Sequence, residues 1–499
     1  MQDIIGKSVN RIDAAAKVTG MAQYPGDINL PHQAHMKMVF SNHVHAHIRG
    51  IDTSAAQAFP GVLAVLTARD VPCNEYGIIS QDQPVLCGPG SAKPFTDRVR
   101  FAGDKIALVV AEEEDIAEAA CRLIKIDYED LPVLDDPLTA MQPGAPLLHP
   151  SNKSNVFFEN HILKGDVEAA FEKADVIVAA EYRTPAQEHA FLQPEAGVSY
   201  VDDDGRVHVI TSGQWAHNDQ NQIAHALQIP LEDVQVVYAA IGGAFGGKED
   251  ISVQIALALA ALHLHRSGHP RPVKIVWNRE ESFIAHPKRH PFIIRAKWGA
   301  EKTGKITAAQ IEIIADGGAY ASSSAAVVGS AATLAAGPYF IPNVKIDACA
   351  VYTNHIPSGA FRGFGSPQVT FASEMQMDKL AEKLGLDPVE IRMRNVIREG
   401  QLSAVDSPLP QGISIEKVMR ACASKAGWRE TENGWQRPKG DANRHVGLGF
   451  SAGFKCFGIP PDTCWATVEM HGAETIDVAV VRCAGADMGQ GAQSVYAQF

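Results

Sequence analysis

The run Ile241-Gly242-Gly243-Ala244-Phe245-Gly246-Gly247-Lys248-Glu249-Asp250 decides how this chain is read. Four glycines within six positions are costly to order, because glycine loses more backbone freedom on folding than any other residue. Such a run is kept where backbone passes close to a neighbour or takes a positive φ. The apolar stretch Val234–Ala240 before it predicts a strand, and Ile251–His265 after it predicts a buried helix. A strand, a glycine turn and a helix place peptide N–H groups where they can face an anion or an oxo group. Gly242-x-x-x-x-Gly247-Lys248 also approaches a phosphate-binding loop. Glu249, however, stands where that motif needs Ser or Thr to hold Mg²⁺, so a nucleotide-hydrolase reading is disfavoured. A plain glycine turn between buried elements stays open on this stretch alone.

Three other stretches share its character. Val207–Thr211 reads as a strand, and Ser212 is the expected N-cap of a helix reaching Leu227, which puts Gln214 in the first turn. Gly359-Ala-Phe-Arg-Gly-Phe-Gly-Ser-Pro-Gln368 sets Arg362 between two aromatics, just before a helix N-terminus. Ser366 is the expected cap and Pro367 the first helical residue, with Gly385 as the stop after Leu384. A cation there makes sense opposite an anionic or oxo-bearing ligand. Ala486-Asp-Met-Gly-Gln-Gly491 follows the strand-like Ile476–Arg482 and again ends in glycines around an amide.

Length and composition bound the answer. The 499 residues predict two to four domains, and 46% hydrophobic with 20% charged residues is ordinary globular usage. The net charge of −13 argues against nucleic acid or an anionic membrane as partner. The longest apolar run, Ile255–Leu262, is too short to span a bilayer. The opening residues lack a secretory pattern, so the expected location is the cytoplasm. None of the eight cysteines, Cys456 and Cys464 included, forms a C-x-x-C pair, so no zinc or iron–sulfur site is encoded locally. His43, His45 and His47 alternate and would share one strand face, either a polar face or a metal site. Residues 1–134 read as a small α/β unit, 135–155 with four prolines as a linker, 156–399 as alternating strands and helices, and 400–499 as the start of a further unit.

Arg11-Ile-Asp13, Lys17-Val-Thr-Gly20, Tyr24, Asp27, Ser41–Ile48, Val99-Arg-Phe-Ala-Gly103 and Tyr128-Glu-Asp-Leu-Pro132 resemble the hammerhead domain of the xanthine dehydrogenase/aldehyde oxidase family. Gln214, Gly242–Glu249, Phe361–Gly365 and Met488–Gly491 resemble the molybdenum subunit of the same family of molybdenum hydroxylases. The resemblance spans essentially the whole chain. It implies an α+β protein, with an α/β hammerhead domain followed by a first (156–399) and an incomplete second (400–499) molybdopterin-binding domain.

The resemblance also implies residue roles. Gln214, Phe245 and Arg362 would stand beside the molybdenum, which hangs from a pterin dithiolene rather than from side chains. Gly243, Gly246, Ala360, Phe361, Gly489 and Gln490 would contact the cofactor, expected in its cytosine dinucleotide form. Glu249 and Phe364 would line the substrate pocket. The implied activity is hydroxylation of an N-heteroaromatic or aldehyde with water-derived oxygen, electrons passing to 2Fe–2S and FAD partner subunits. A carbon monoxide-oxidising member is disfavoured, because that branch carries a cysteine motif where Ala360-Phe-Arg-Gly stands.

Two departures matter. Ser330, in the small-residue run Ala325–Gly337, stands where purine-oxidising members carry an arginine. The family's glutamate base, in a Gly-x-Gly-Glu-like motif far downstream, is not reached before Phe499. The expectation is a cofactor domain completed by another polypeptide or by further chain. The alternative is a catalytically incomplete scaffold or remnant.

Overall fold

The computed structural model describes residues 4–438, 446–455 and 465–498. Cys456, Cys464, Phe499 and part of the expected surface excursion 427–444 lie outside the described residues. Two large mixed sheets organise the rest. The first has seven strands in the order Val234–Tyr238, Val207–Thr211, Ala196–Val201, Val273–Val276, Ala34–Phe40, Lys105–Ala111 and Val62–Leu66. Strands from either side of the 135–155 segment therefore share one sheet. Ala34–Phe40 runs parallel to Val273–Val276, and that pairing fastens the N-terminal region to the rest.

Lys105–Ala111 is buried at every position, as expected of a central strand covered on both faces. The helix Gln254–Arg266 packs across the sheet, and ten of its thirteen residues are buried. Its near-continuous Ile/Ala/Leu sequence suits such an all-round apolar environment.

The second sheet has five strands in the order Val156–Lys164, Asn343–Tyr352, Ile306–Gly318, Phe292–Ala300 and Val176–Thr184. The helices Ser324–Leu334 and Ser366–Leu384 cover it. Beneath the second of these, Arg392 is fully buried, donating to Glu374 (2.8 Å) and Asp378 (2.8 Å). A three-stranded sheet of Arg98–Val99, Ala46–Asp52 and Lys125–Asp130 completes the N-terminal region. Of the three histidines expected on one strand face only His47 lies in a strand; His43, His45 and His47 engage Asp130, the Pro132 carbonyl and Asp97 respectively, so they do not converge on one point. Among the described residues no helix is long and apolar enough to cross a membrane.

Helix starts depart from expectation in two places. The helix after Val207–Thr211 begins at Ala216 with Trp215 as N-cap, not at Ser212. Gln214 is held out of it, because its N–H donates to the Lys248 carbonyl (2.9 Å). The helix Ser366–Leu384 is capped by Gly365 at φ +88°, while the Ser366 hydroxyl donates to the Phe454 carbonyl instead. Gly385 (φ +65°) ends that helix as expected, and Asp387 caps the next one through the Val389 N–H.

Candidate active site

The glycine turn and the arginine turn meet back to back. Gly243 (φ +94°), Phe245 (φ +55°) and Gly246 (φ +100°) bend the first; Gly363 (φ +97°), Phe364 (φ +50°) and Gly365 (φ +88°) bend the second. The Arg362 N–H donates to the Phe245 carbonyl (2.8 Å) and joins them. A Cβ on Gly246 would lie 2.9 Å from the carbonyl carbon and oxygen of Ala360, so only glycine lets the two backbones approach this closely. Phenylalanine in the left-handed region costs on the order of 1–2 kcal/mol and persists only where its surroundings enforce it. Both strained phenylalanines line one cavity of about 1150 Å³.

That cavity gathers the residues singled out from sequence. Gln214, Gly243, Phe245, Gly246, Glu249, Ala360, Phe361, Arg362, Phe364, Gly489 and Gln490 all line it. The Gln214 amide closes the glycine turn: its oxygen accepts the Gly246 N–H (3.0 Å) and its nitrogen donates to Glu249 (3.3 Å). That nitrogen carries a second N–H. The loss of water around the Glu249 carboxyl, and secondarily Asp250, push its pKa up to about 7. It can therefore hold or release a proton near neutrality. The exposed Arg362 guanidinium makes no hydrogen bond or ion pair with a described residue. Gln490 folds back on its own turn, its oxygen accepting from the Met488 N–H and its nitrogen donating to the Ala486 carbonyl.

Ser330 sits elsewhere. Its hydroxyl is buried in the helix Ser324–Leu334 without a hydrogen-bond partner among the described residues, and the residue does not line the cavity. The helix packs behind the arginine turn instead, with Ala331 against Gly365.

Behind the two turns lies a set of side chains that sequence reasoning did not single out. His189 donates to the Ala360 carbonyl (2.8 Å) and His286 to the Gly247 carbonyl. Burial pushes these imidazoles down to about 3 and about 4, so both are neutral donors at neutral pH. Phe361 is clamped between the His189 ring, stacked at 4.1 Å, and the Arg289 guanidinium, 3.9 Å from the ring centre. Lys248 turns inward. Its ammonium donates to the Gln193 carbonyl (3.0 Å) and lies 4.5 Å from the Phe191 ring centre. It faces away from any ligand of the glycine turn, which removes the phosphate-loop reading. Gln193 in turn accepts the Gly242 N–H (2.8 Å). A signal did exist: Gln187-Glu-His-Ala-Phe-Leu-Gln-Pro-Glu195 packs five polar residues between two strands, too dense for an ordinary turn.

Two family models match the chain. Residues 19–132 match the aldehyde oxidase and xanthine dehydrogenase a/b hammerhead domain, and residues 148–396 the molybdopterin cofactor-binding domain. The "Nicotinate dehydrogenase large molybdopterin subunit" of Eubacterium barkeri is 38% identical over 85% of this chain and 96% of its own length. The chain belongs to the xanthine dehydrogenase/aldehyde oxidase family of molybdenum enzymes. A probable xanthine dehydrogenase subunit of Bacillus subtilis is 39% identical over 82% of this chain, but the match spans only 53% of that protein. The aldehyde oxidoreductase structure from Desulfovibrio gigas superposes with a TM-score of 0.79 at 32% identity, over 85% of this chain and 46% of that one. The chain thus spans about half the length of two of these relatives and nearly all of the third.

The lining chemistry fits the family's molybdenum–pterin group. Among the described lining residues there is no cysteine or histidine to ligate a metal; there are the amides of Gln214 and Gln490, the Glu249 carboxyl, the cations Arg11, Lys17 and Arg362, and peptide edges. Such a set suits a metal that brings its own sulfur ligands.

Proposed function

We propose that this chain is the molybdenum-binding part of a hydroxylase that adds water-derived oxygen to a planar N-heteroaromatic or an aldehyde. The observation that carries the reading is the convergence of Gln214, the two strained turns, Arg362 and Glu249 on one cavity. When bound, the cofactor supplies an activated oxygen and an acceptor for the substrate's electrons.

The chain's own residues hold and orient. The second N–H of Gln214, the peptide edges at Gly243, Gly246, Ala360 and Phe361, and the uncommitted Arg362 face the metal and its ligands, while Gly489 and Gln490 face the pterin. Phe245 shapes the turn at the metal, and Phe364 packs on the planar substrate. Glu249, with its proton exchangeable near pH 7, hydrogen-bonds a substrate heteroatom. In this reading the glutamate base is contributed by a segment that packs against the Met488–Gly491 side of the cavity.

The hairpin Ala466–Gly472/Ile476–Cys483 supports the last point. Pairing of Val468 with Val481 and of Met470 with Ala479 puts Ala466, Val468, Met470, Ala479, Val481 and Cys483 on one face. Val468, Met470 and Val481 are 56%, 66% and 42% exposed. An apolar sheet face of this kind calls for a cover, and the cover proposed is the remainder of the molybdenum domain, on another polypeptide or on further chain. Iron–sulfur (2Fe–2S) and FAD subunits, a cytosine dinucleotide pterin, a cytoplasmic location and the units 1–134, 156–399 and 400–499 belong to the same reading.

Xanthine and hypoxanthine are not the preferred substrates in this reading. Arg11 and Lys17, the other cations on the cavity, are both paired with Asp13, which leaves none beyond Arg362 to hold a purine carbonyl. The test is metal analysis and dye-reduction kinetics on the complete enzyme with nicotinate, xanthine, hypoxanthine and an aromatic aldehyde. Molybdenum is expected in the wild type and reduced in Arg362→Lys, which keeps the charge but loses the planar fork. An enzyme that holds no molybdenum is a scaffold. A tenfold purine advantage in kcat/KM, about 1.4 kcal/mol, refutes the substrate assignment alone.

A further inference from the structure

Cys73 and Glu75 meet His225, about 150 residues further along the chain, at the junction between the N-terminal region and the helix Ala216–Leu227, each half-buried. Three atoms converge. Cys73 Sγ lies 3.3 Å from His225 Nε2, His225 Nε2 lies 3.1 Å from Glu75 Oε1, and Cys73 Sγ lies 3.9 Å from Glu75 Oε1. Zn–S bonds of ~2.3 Å and Zn–N or Zn–O bonds of ~2.0–2.1 Å make tetrahedral edges of roughly 3.3–3.6 Å. The triangle matches those edges within a few tenths of an ångström. A nucleophile–base–carboxylate relay would use the two different imidazole nitrogens. Here one nitrogen faces both the sulfur and the carboxylate oxygen, as a shared chelation point requires.

The three groups stand on braced backbone. The Cys73 N–H donates to the Ala226 carbonyl (2.9 Å), and the Gly77 N–H donates to Gln222 on the same helix (3.1 Å). The Asn74 side chain holds both the N–H (3.0 Å) and the carbonyl (2.8 Å) of Leu86. Lys93 pairs with the second oxygen of Glu75 and leaves Oε1 to the cluster.

We propose that Cys73, Glu75 and His225 form a zinc site with water as fourth ligand, stapling the 73–77 loop to the helix that begins two residues after Gln214. Binding exchanges the Cys73 S–H bond for an S–Zn bond and releases the proton to solvent.

The test uses the full chain, stripped of metal and titrated with zinc against a chromophoric chelator, then with cobalt(II) followed by absorption. One equivalent of tightly bound zinc is expected. Cobalt should give a thiolate charge-transfer band that Cys73→Ser abolishes, and His225→Ala should weaken zinc at least tenfold. Zinc should raise the Tm of the wild type and leave that of Cys73→Ser unchanged. Should the serine variant not fold, Glu75→Gln keeps the thiol and is expected to keep the band while losing at least tenfold in affinity. No saturable equivalent, or a cobalt band indifferent to Cys73→Ser (or, in its place, zinc affinity indifferent to Glu75→Gln), overturns the proposal and leaves a hydrogen-bonded cluster only. Neither readout depends on molybdenum or on hydroxylase turnover.

Discussion

The cavity wall formed by Gly242–Glu249 and Ala360–Gly365 is braced from behind by buried side chains, whereas the wall formed by Met488–Gln490 stands on a hairpin whose apolar face meets solvent. In the first, side chains hold the Ala360 carbonyl (His189), the Gly247 carbonyl (His286), the Gly242 N–H (Gln193) and the Gly246 N–H (Gln214). In the second, the turn satisfies itself through Asp487 and Gln490, and the tie to the rest of the chain runs through an N-terminal arm. There Arg11 donates to the Gly489 carbonyl (2.5 Å), and the Ile12 N–H donates to the Ser494 hydroxyl (3.1 Å). Strain can be stored only where packing enforces it, so the left-handed phenylalanines belong to the braced wall. The second wall has no such bracing among the described residues, and its hairpin leaves Val468, Met470 and Val481 exposed.

The largest effect that separates the walls is expected from Lys248→Met. Lys248 is buried, with the buried Glu195 carboxylate as its electrostatic neighbour. Both Glu195 oxygens lack a hydrogen-bond partner among the described residues. Removing the cation takes away one of the two lysines, Lys248 and Lys288, that favour the buried Glu195 carboxylate, a loss of up to about 3–5 kcal/mol. Burial raises the pKa of Glu195, and a carboxyl raised in the folded state favours folding at low pH and loses that contribution as pH rises through its folded pKa. The destabilisation should therefore be larger at pH 8 than at pH 5, measured by denaturant unfolding. A pH-independent loss would mean that Lys248 acts by packing alone.

A pair of glycine substitutions compares the walls directly. Gly246→Ala places a methyl 2.9 Å from the Ala360 backbone at φ +100°, which combines overpacking with left-handed strain, about 2–4 kcal/mol together. Gly489→Ala has φ +106° but nothing within 4 Å, so only the strain of roughly 1 kcal/mol remains. Equal Tm losses in the two variants would contradict the difference drawn between the walls.

Much of the braced wall could be read from sequence. The glycine turn, its flanking strand and its buried helix are local features, and the observed strand Val234–Tyr238 covers all but the last two residues of the predicted Val234–Ala240. What sequence could not show is what tertiary contacts decide. Ser212 is a good cap by type, yet the bonds of Gln214 to Lys248 and Gly246 keep that segment extended. Ser366 is likewise a good cap by type, but its hydroxyl is taken by the Phe454 carbonyl. His189 and His286, or Cys73 and His225, meet only after the sheets close, so no periodicity announces them. The placement of Ser330 behind the arginine turn is the same lesson in reverse: a position chosen by alignment to a motif need not face the cavity.

Within the braced wall, Glu249→Gln should alter substrate handling more than structure. A hydrogen bond to a charged partner is worth about 1.5–3 kcal/mol, so kcat/KM should fall by roughly ten- to a hundredfold with molybdenum retained. Loss of the metal instead would assign the carboxyl to the turn. The pH dependence has a definite sign. Its folded pKa is about 7 against 4.5 for the ordinary group, so the wild type gains from the protonated form below 4.5 and loses that gain as pH rises through 7. Glutamine does not titrate. The variant should match the wild type near pH 4 and exceed its stability near pH 8.

The smallest expected change in the chain itself is also the one that tests what finishes the second wall. Val468→Thr with Val481→Thr alters two directly paired, exposed residues of the hairpin. Threonine keeps the β-branched shape that suits a strand, and surface substitutions usually move stability by less than about 0.5 kcal/mol. Unfolding of the isolated chain should therefore be nearly unchanged. Assembly is another matter, because a covered apolar pair contributes through the area it removes from water, about 25 cal/mol per Å², and hydroxyls introduced there must be desolvated. Apparent affinity for the completing polypeptide should drop by tenfold or more, read by co-purification at graded concentrations. An unchanged complex would show that the apolar face of the hairpin is covered by something other than the rest of the molybdenum domain, and the second wall would have to be completed through the Met488–Gly491 turn instead.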